Sequence, residues 1–234
     1  MRATALAIAA LLVASLPASA ELGPCKPDGQ DTPLCGSGKG AARVVHNTIS
    51  PDKKFALAWR HPDMDPNDVT RDDAQEDELE LLLIRLADGA VLAKADTQYF
   101  RNAKGVNRRG EFAIWSPDSR LIVRQYDIRF GTDVYMLYRL GAGGALTGQL
   151  DLDKMIEDAV HARLKKIGRN PDDYSMFFNE NGATLRNNGT LRFSVIAFVV
   201  KKEPEVDYQV EVKVTPGTTP MSARVVAIRQ THAE

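Results

Sequence analysis

Four histidines, two cysteines and 31 carboxylates are the residues of this chain with obvious chemistry to offer. Their spacing assembles no catalytic set. His46, His61, His161 and His232 are scattered, with neither H-x-x-x-H nor H-E-x-x-H, so a zinc centre has no local support. No G-x-S-x-G occurs, so the strained turn of a serine hydrolase is missing. A glycosidase needs only two carboxylates about 5–10 Å apart. With 31 acids the sequence leaves that alternative open, as it does an acid-lined carbohydrate site. The leading expectation is a protein without catalytic residues and without a cofactor.

The carboxylates gather in one stretch. His61 to Glu80 carries Asp63, Asp65, Asp68, Asp72 and Asp73 among nine acids, against Arg71 alone. Clustered oxygen ligands suit Ca²⁺, and Asp63, Asp65 and Asn67 begin like an EF-hand loop. The pattern then fails, because Asp68 stands where glycine is needed and Ala74 where the bidentate Glu is needed. A solvated acidic loop is the better reading, with Ca²⁺ as the weaker alternative. Gly36-Ser37-Gly38-Lys39-Gly40 imitates a phosphate loop but lacks the hydroxyl after Lys39, and it reads as a flexible linker. Arg101, Lys104, Arg108 and Arg109 read as a solvated connector. A formal net charge of −1 argues against nucleic acid, whose binding needs a basic excess.

Residues 1–20 read as a secretory signal: Arg2, the apolar run Ala5 to Val13, Pro17, and an A-x-A-like site at Ala18-Ser19-Ala20. The run is too short for a bilayer, which takes ~20 apolar residues, and no later stretch reaches that length. Leu22-Gly23-Pro24-Cys25 imitates a lipobox but has Pro24 where a small residue belongs. The expected location is periplasmic or secreted, after cleavage near Ala20. Export permits a Cys25–Cys35 disulfide. The C-x-x-C spacing is absent, so the pair reads as a structural staple of residues 21–41.

From Ala42 onward the apolar period is two, which is the period of strands. Phe55, Leu57 and Trp59 share one face, as do Leu121 and Val123. Val206 to Val214 alternates with Asp207, Gln209, Glu211 and Lys213, a strand with one solvated face. Leu191 to Val200 predicts a central strand covered on both sides. Asp151 to Gly168 predicts one helix, its apolar stripe running from Leu152 to Ile167 and packing on a sheet. Within this frame a unit recurs. Ser50-Pro51-Asp52 and Ser116-Pro117-Asp118 are tight turns 66 residues apart, each followed by a strand and then a hairpin, Leu81 to Leu92 and Val134 to Leu146. A third copy can begin at Asn187-Asn188-Gly189 and continue through Ile228.

The Ser-Pro-Asp turn, the apolar strand and the L-x-L/I-x-x-L-x-x-G hairpin resemble the repeat of TolB-type, WD-like β-propellers of bacterial secreted proteins, over about residues 45–150. The family places Gly after the Asp, where this chain has Lys53 and Ser119. The resemblance implies a mainly β fold of propeller-like antiparallel meanders, two clear repeats in 42–150 and a possible third in 151–234, with one packing helix. A two-sheet β-sandwich is the alternative. It also implies an interaction platform for a protein partner in the cell envelope. The contact residues would come from the acidic insertion or from Tyr126, Tyr135 and Tyr138.

Overall fold

The computed structural model describes residues 22–68, 79–95, 110–128, 131–199, 202–215, 217 and 220–233. The chain is mainly β, with one α-helix among the described residues. Three antiparallel sheets follow one another in sequence. The first contains β1 (Cys25–Lys26), β2 (Leu34–Cys35), β3 (Ala42–Val44), β4 (Phe55–Arg60), β5 (Glu80–Arg85) and β6 (Val91–Lys94), ordered as in the chain. The second contains β7 (Gly110–Trp115), β8 (Leu121–Ile128), β9 (Gly131–Leu140) and β10 (Leu146–Asp151). The helix α1 (Asp153–Lys166) then leads to the third: β11 (Ser175–Leu185), β12 (Thr190–Val199), β13 (Lys202–Thr215) and β14 (Ser222–Ala233). Each sheet therefore holds a four-stranded meander, beginning at β3, β7 and β11.

Related turns join the first and second strand of each meander, the third being one residue shorter and closed by Arg186 N–H on Thr190 O (2.9 Å). Ser50 Oγ donates to Asp52 Oδ1 (2.7 Å) and accepts the N–H of Phe55 (3.0 Å). Ser116 Oγ donates to Asp118 Oδ1 (2.7 Å) and accepts the N–H of Leu121 (2.9 Å). The fourth turn residue is left-handed in both, with φ 58° at Lys53 and at Ser119. These are the positions where the sequence lacks the glycine of the TolB-type pattern. In the third meander Gly189 takes this place with φ 77°, and Asn188 Oδ1 receives the N–H of Thr190 (3.0 Å). The third unit, fainter in sequence because Arg186 and Asn187 replace Ser and Pro, has the same order of turn and strands.

Burial shows why the strands alternate. Phe55, Leu57, Trp59, Leu81 and Leu83 face one way and pack with Ile122, Tyr138 and Leu140 of the second sheet. The second sheet's other face, with Leu121, Val123, Tyr135 and Leu137, packs with Phe178, Phe193, Val195 and the valines of β13. The layers are therefore three sheets stacked face to face, and the two-sheet sandwich is not the arrangement. Ile156, Val160 and Leu164 of α1 enter the larger of these cores, and the helix packs against β9 and β14. Asp151 Oδ1 accepts the N–H of Asp153 (2.9 Å) at its start. Ile167, counted in the apolar stripe, lies past the last turn and is 45% exposed. The expectation for β12 also needs correction. Leu191, Phe193, Val195 and Ala197 are buried, but Arg192 is exposed and Ile196 and Phe198 are half-buried, because among the described residues no further layer lies outside this sheet.

The two ends of the stack finish differently. At the N-terminal end the first sheet curls around a second small core of Ala56, Ala58, Leu82 and Ile84. The Cys25–Cys35 disulfide is formed and fastens β1 to β2 over that core. Cys25 N–H donates to Leu86 O (3.0 Å) and Leu22 N–H to Gly89 O (3.1 Å), which closes the curl. Glycine is required where the chain crosses itself. A Cβ on Gly36 would lie 2.2 Å from Leu22 O, and one on Gly89 2.1 Å from Gly23 O. Residues 36–40, read as a flexible linker, are instead an ordered turn, with Gly40 N–H donating to Met64 O (3.1 Å). At the other end the outer face of the third sheet is polar, with Arg192 Nε on Glu211 Oε2 (2.7 Å) and Gln209 Nε2 on Phe193 O (2.7 Å).

Candidate functional site

Stacking places the turn ends of the three meanders in a row. Asp52 N–H donates to Ser119 Oγ (3.1 Å), and Asp118 N–H donates to Asn187 Oδ1 (3.1 Å). Trp115 Nε1 donates to Thr48 O (2.9 Å), and its ring stacks on Phe55 with centroids 6.3 Å apart. The first strands β7 and β11 consequently run beside each other. Between them lies an open groove of about 960 Å³. Its apolar lining is Pro51, Phe112, Ile114, Trp115, Pro117 and Leu185. Glu180 and Arg186 stand at opposite ends of the β11 wall, with Asn47 and Asn181 as neutral polar groups. Neither charged residue makes an ion pair among the described residues.

Among the described residues the groove walls are unpaired strand edges. Ser116 N–H bonds Leu121 O (2.9 Å), which makes that pair a hydrogen-bonded one. Counting back along the ladder, Ile114 and Phe112 bond to β8, while Ala113 and Trp115 turn N–H and C=O away from it. Among the described residues no other strand pairs with β7. In β11 the ladder to β12 shifts between Asn179 and Thr184, so the backbone bulges where it lines the groove.

Two carboxyls are strongly raised, and neither lines this groove. Glu111 is pushed up to about 7, chiefly by burial, with Arg124 opposing and Asp127 adding. It lies wholly inside, holding Arg124 through Nε (2.6 Å) and Nη2 (3.1 Å), with side-chain exposures of 0% and 2%. Asp153 is also raised to about 7, by burial and then by Glu157, Asp151 and Asp133. A further polar clasp joins the second and third sheets: Thr132 Oγ1 donates to Asp127 Oδ1 (2.7 Å) and accepts Phe178 N–H (2.9 Å), while Gln125 Nε2 donates to Asp127 and to Phe178 O. The clasp ties two sheets together, while Glu111 and Arg124 link neighbouring strands of one sheet.

The residues singled out from sequence fall elsewhere. Ser50, Pro51, Asp52, Ser116, Pro117 and Asp118 form the turns described above, and the two prolines reach the groove. Tyr126, Tyr135 and Tyr138 are core residues rather than contact residues, at 2%, 0% and 5% exposure. Tyr135 meets Phe178 edge-on at 4.9 Å, and burial pushes its phenol up. A strand in the middle of a three-layer stack has both faces covered, which an alternating pattern alone does not reveal. Asp63 and Asp68 are exposed and Asp65 Oδ1 accepts Asn67 N–H (2.9 Å); Asp72 and Asp73 lie outside the described residues. Residues 1–20 and the basic stretch 101–109 lie outside them as well. Among the described residues no helix is long and apolar enough to cross a membrane, and no three His, Cys, Asp or Glu are placed to hold a metal ion. The groove residues were missed because β7 and β11 are 60 or more residues apart in the chain and meet only through stacking. Comparison with family models, with curated proteins and with solved structures returns no match.

Proposed function

We propose that the protein is an exported, non-enzymatic β-repeat module of the bacterial cell envelope that binds a protein partner in the groove between β7 and β11. In this reading each meander is a blade of an incomplete, TolB-like propeller. The serial four-stranded meanders, the related turns and the face-to-face stacking support that view. The carrying observation is the groove itself: an open, largely apolar channel of about 960 Å³ with Glu180 and Arg186 at opposite ends of its β11 wall. Neither raised carboxyl lines the groove, which favours binding over hydrolysis there. The test is capture from an envelope fraction with the full chain and with Asn181→Trp, an exposed position where added bulk fills the groove mouth. A partner that returns reproducibly with the native chain and is lost with the variant supports the reading. Equal capture by both, or none by either, overturns it.

A further inference from the structure

The groove's walls suggest how a partner would be held, given the reading above that this is a protein-binding site. The first strand of a meander has one edge on β8 or its equivalent and one edge free. In the first sheet the chain fills that free edge itself: β2 pairs antiparallel with β3, Leu34 opposite Arg43 and Cys35 opposite Ala42. In the second sheet the equivalent edge, on β7, is empty among the described residues. Its outward groups at Ala113 and Trp115 open into the groove, and these two residues are half-exposed. An unpaired edge beside an apolar channel is a template for strand addition.

We infer that the groove takes an extended segment of a partner protein, added antiparallel to β7 as β2 is added to β3, with an acidic residue toward its N-terminus and a basic residue toward its C-terminus. The turn ends of β7 and β11 are held together by Asp118 and Asn187, so Arg186 lies beside the Trp115 end and Glu180 beside the Phe112 end. An antiparallel strand starts at the Trp115 end. Its first residues therefore meet Arg186 and its last meet Glu180. Between these charges, alternate side chains enter the apolar lining while the backbone bonds Ala113 and Trp115. At a rise of roughly 3.4 Å per residue, a seven-residue segment spans about 20 Å, the reach of one ordinary strand.

The experiment uses the full chain and two end-blocked peptides, Asp-Val-Thr-Val-Thr-Val-Lys and its charge-reversed form Lys-Val-Thr-Val-Thr-Val-Asp. Titration calorimetry reads affinity, and amide hydrogen exchange reads the edge. The first peptide binds at least about fivefold tighter than the second, and the doubly reversed chain Glu180→Lys, Arg186→Glu inverts the order. Ala113 and Trp115 amides exchange more slowly with the first peptide bound. N-methylating the central valine weakens binding about tenfold, the worth of one strand hydrogen bond. No binding of either peptide up to about millimolar concentration overturns the inference. So does binding without protection of Ala113, or without charge preference. If such binding is still blocked by Asn181→Trp, the groove survives as a protein site and only the strand-addition mode falls. A chain that sediments as a dimer dissociated by Asn181→Trp would assign the groove to a second copy and also overturn it.

Discussion

The backbone N–H of Asp52 donates to the side chain of Ser119, 67 residues away, at 3.1 Å. The two residues occupy successive positions of equivalent turns, so the bond joins one repeat to the next through the repeat's own signature. Asp118 to Asn187 continues the row into the third sheet. Both Lys53 and Ser119 adopt the left-handed conformation that glycine holds at lower cost, but only Ser119 contributes a side chain to the row.

This contrast gives a prediction. Lys53→Gly relieves left-handed strain at an exposed position and should stabilise the fold by about 0.5–1 kcal/mol. Ser119→Gly gives the same relief but removes the acceptor for Asp52, at a cost of about 1 kcal/mol, and should come out near zero. Urea denaturation of the two variants compares them directly. Ser119→Gly proving as stabilising as Lys53→Gly would show that the inter-repeat bond contributes nothing.

A second prediction concerns the sealed pair in the second sheet. Arg124→Met leaves Glu111 buried without its partner and should cost about 3 kcal/mol at neutral pH. Replacing both, Glu111→Leu with Arg124→Met, removes the charges together and should recover most of that loss. A double variant as unstable as the single one would assign the cost to packing of the Arg124 stem rather than to the unpaired carboxylate.

Much of the architecture could be read locally. The period of two put Phe55, Leu57 and Trp59 on one face, and the polar turn residues with their glycines marked the corners. The helix was visible because Ile156, Val160 and Leu164 repeat at its period. What failed was everything set by distant packing. Tyr126, Tyr135 and Tyr138 stood as contact candidates beside the sheet-face reading because nothing near them records that a sheet lies on either side. The outer face of β12 looked buried because its apolar run does not record that no described layer covers it. The groove was not legible at all, since Phe112 and Glu180 come to line one groove only after the second and third sheets stack.

The staple yields a third prediction. Replacing Cys25 and Cys35 by serine reopens a ten-residue separation, which on chain-entropy grounds costs about 2–3 kcal/mol. The loss should be local first. Leu82 and Ile84 face the core under the hairpin, so their amides should gain exchange before those of β12 and β13. Uniform loosening of all three sheets would mean that the hairpin stabilises the whole stack and not the first sheet alone.

The fourth prediction is the pH dependence of stability. Glu111 and Asp153 have folded values of about 7, above their ordinary 4.5 and 3.8. The folded protein therefore holds protons that the unfolded chain has released across that interval. Stability from these groups is full below the unfolded values and is lost as pH rises to about 7. Four carboxyls work oppositely. Arg43 and Arg85 hold Asp28 and Asp88 low; at Glu80 and Asp52 burial pushes upward but is outweighed, by Lys94 and Arg60 and by Ser50 with the Lys54 backbone, respectively. Their contribution is present above the ordinary carboxyl range and fades as pH falls through and below it. Together these place the optimum on the acid side, so the thermal midpoint should be higher at about pH 5 than at about pH 8. Asp153→Asn removes a buried charge that Glu157, Asp151 and Asp133 repel, and should raise the midpoint at both pH values, more at about pH 8 than at about pH 5. A native midpoint that climbs between those two pH values would refute the assignment of both raised carboxyls.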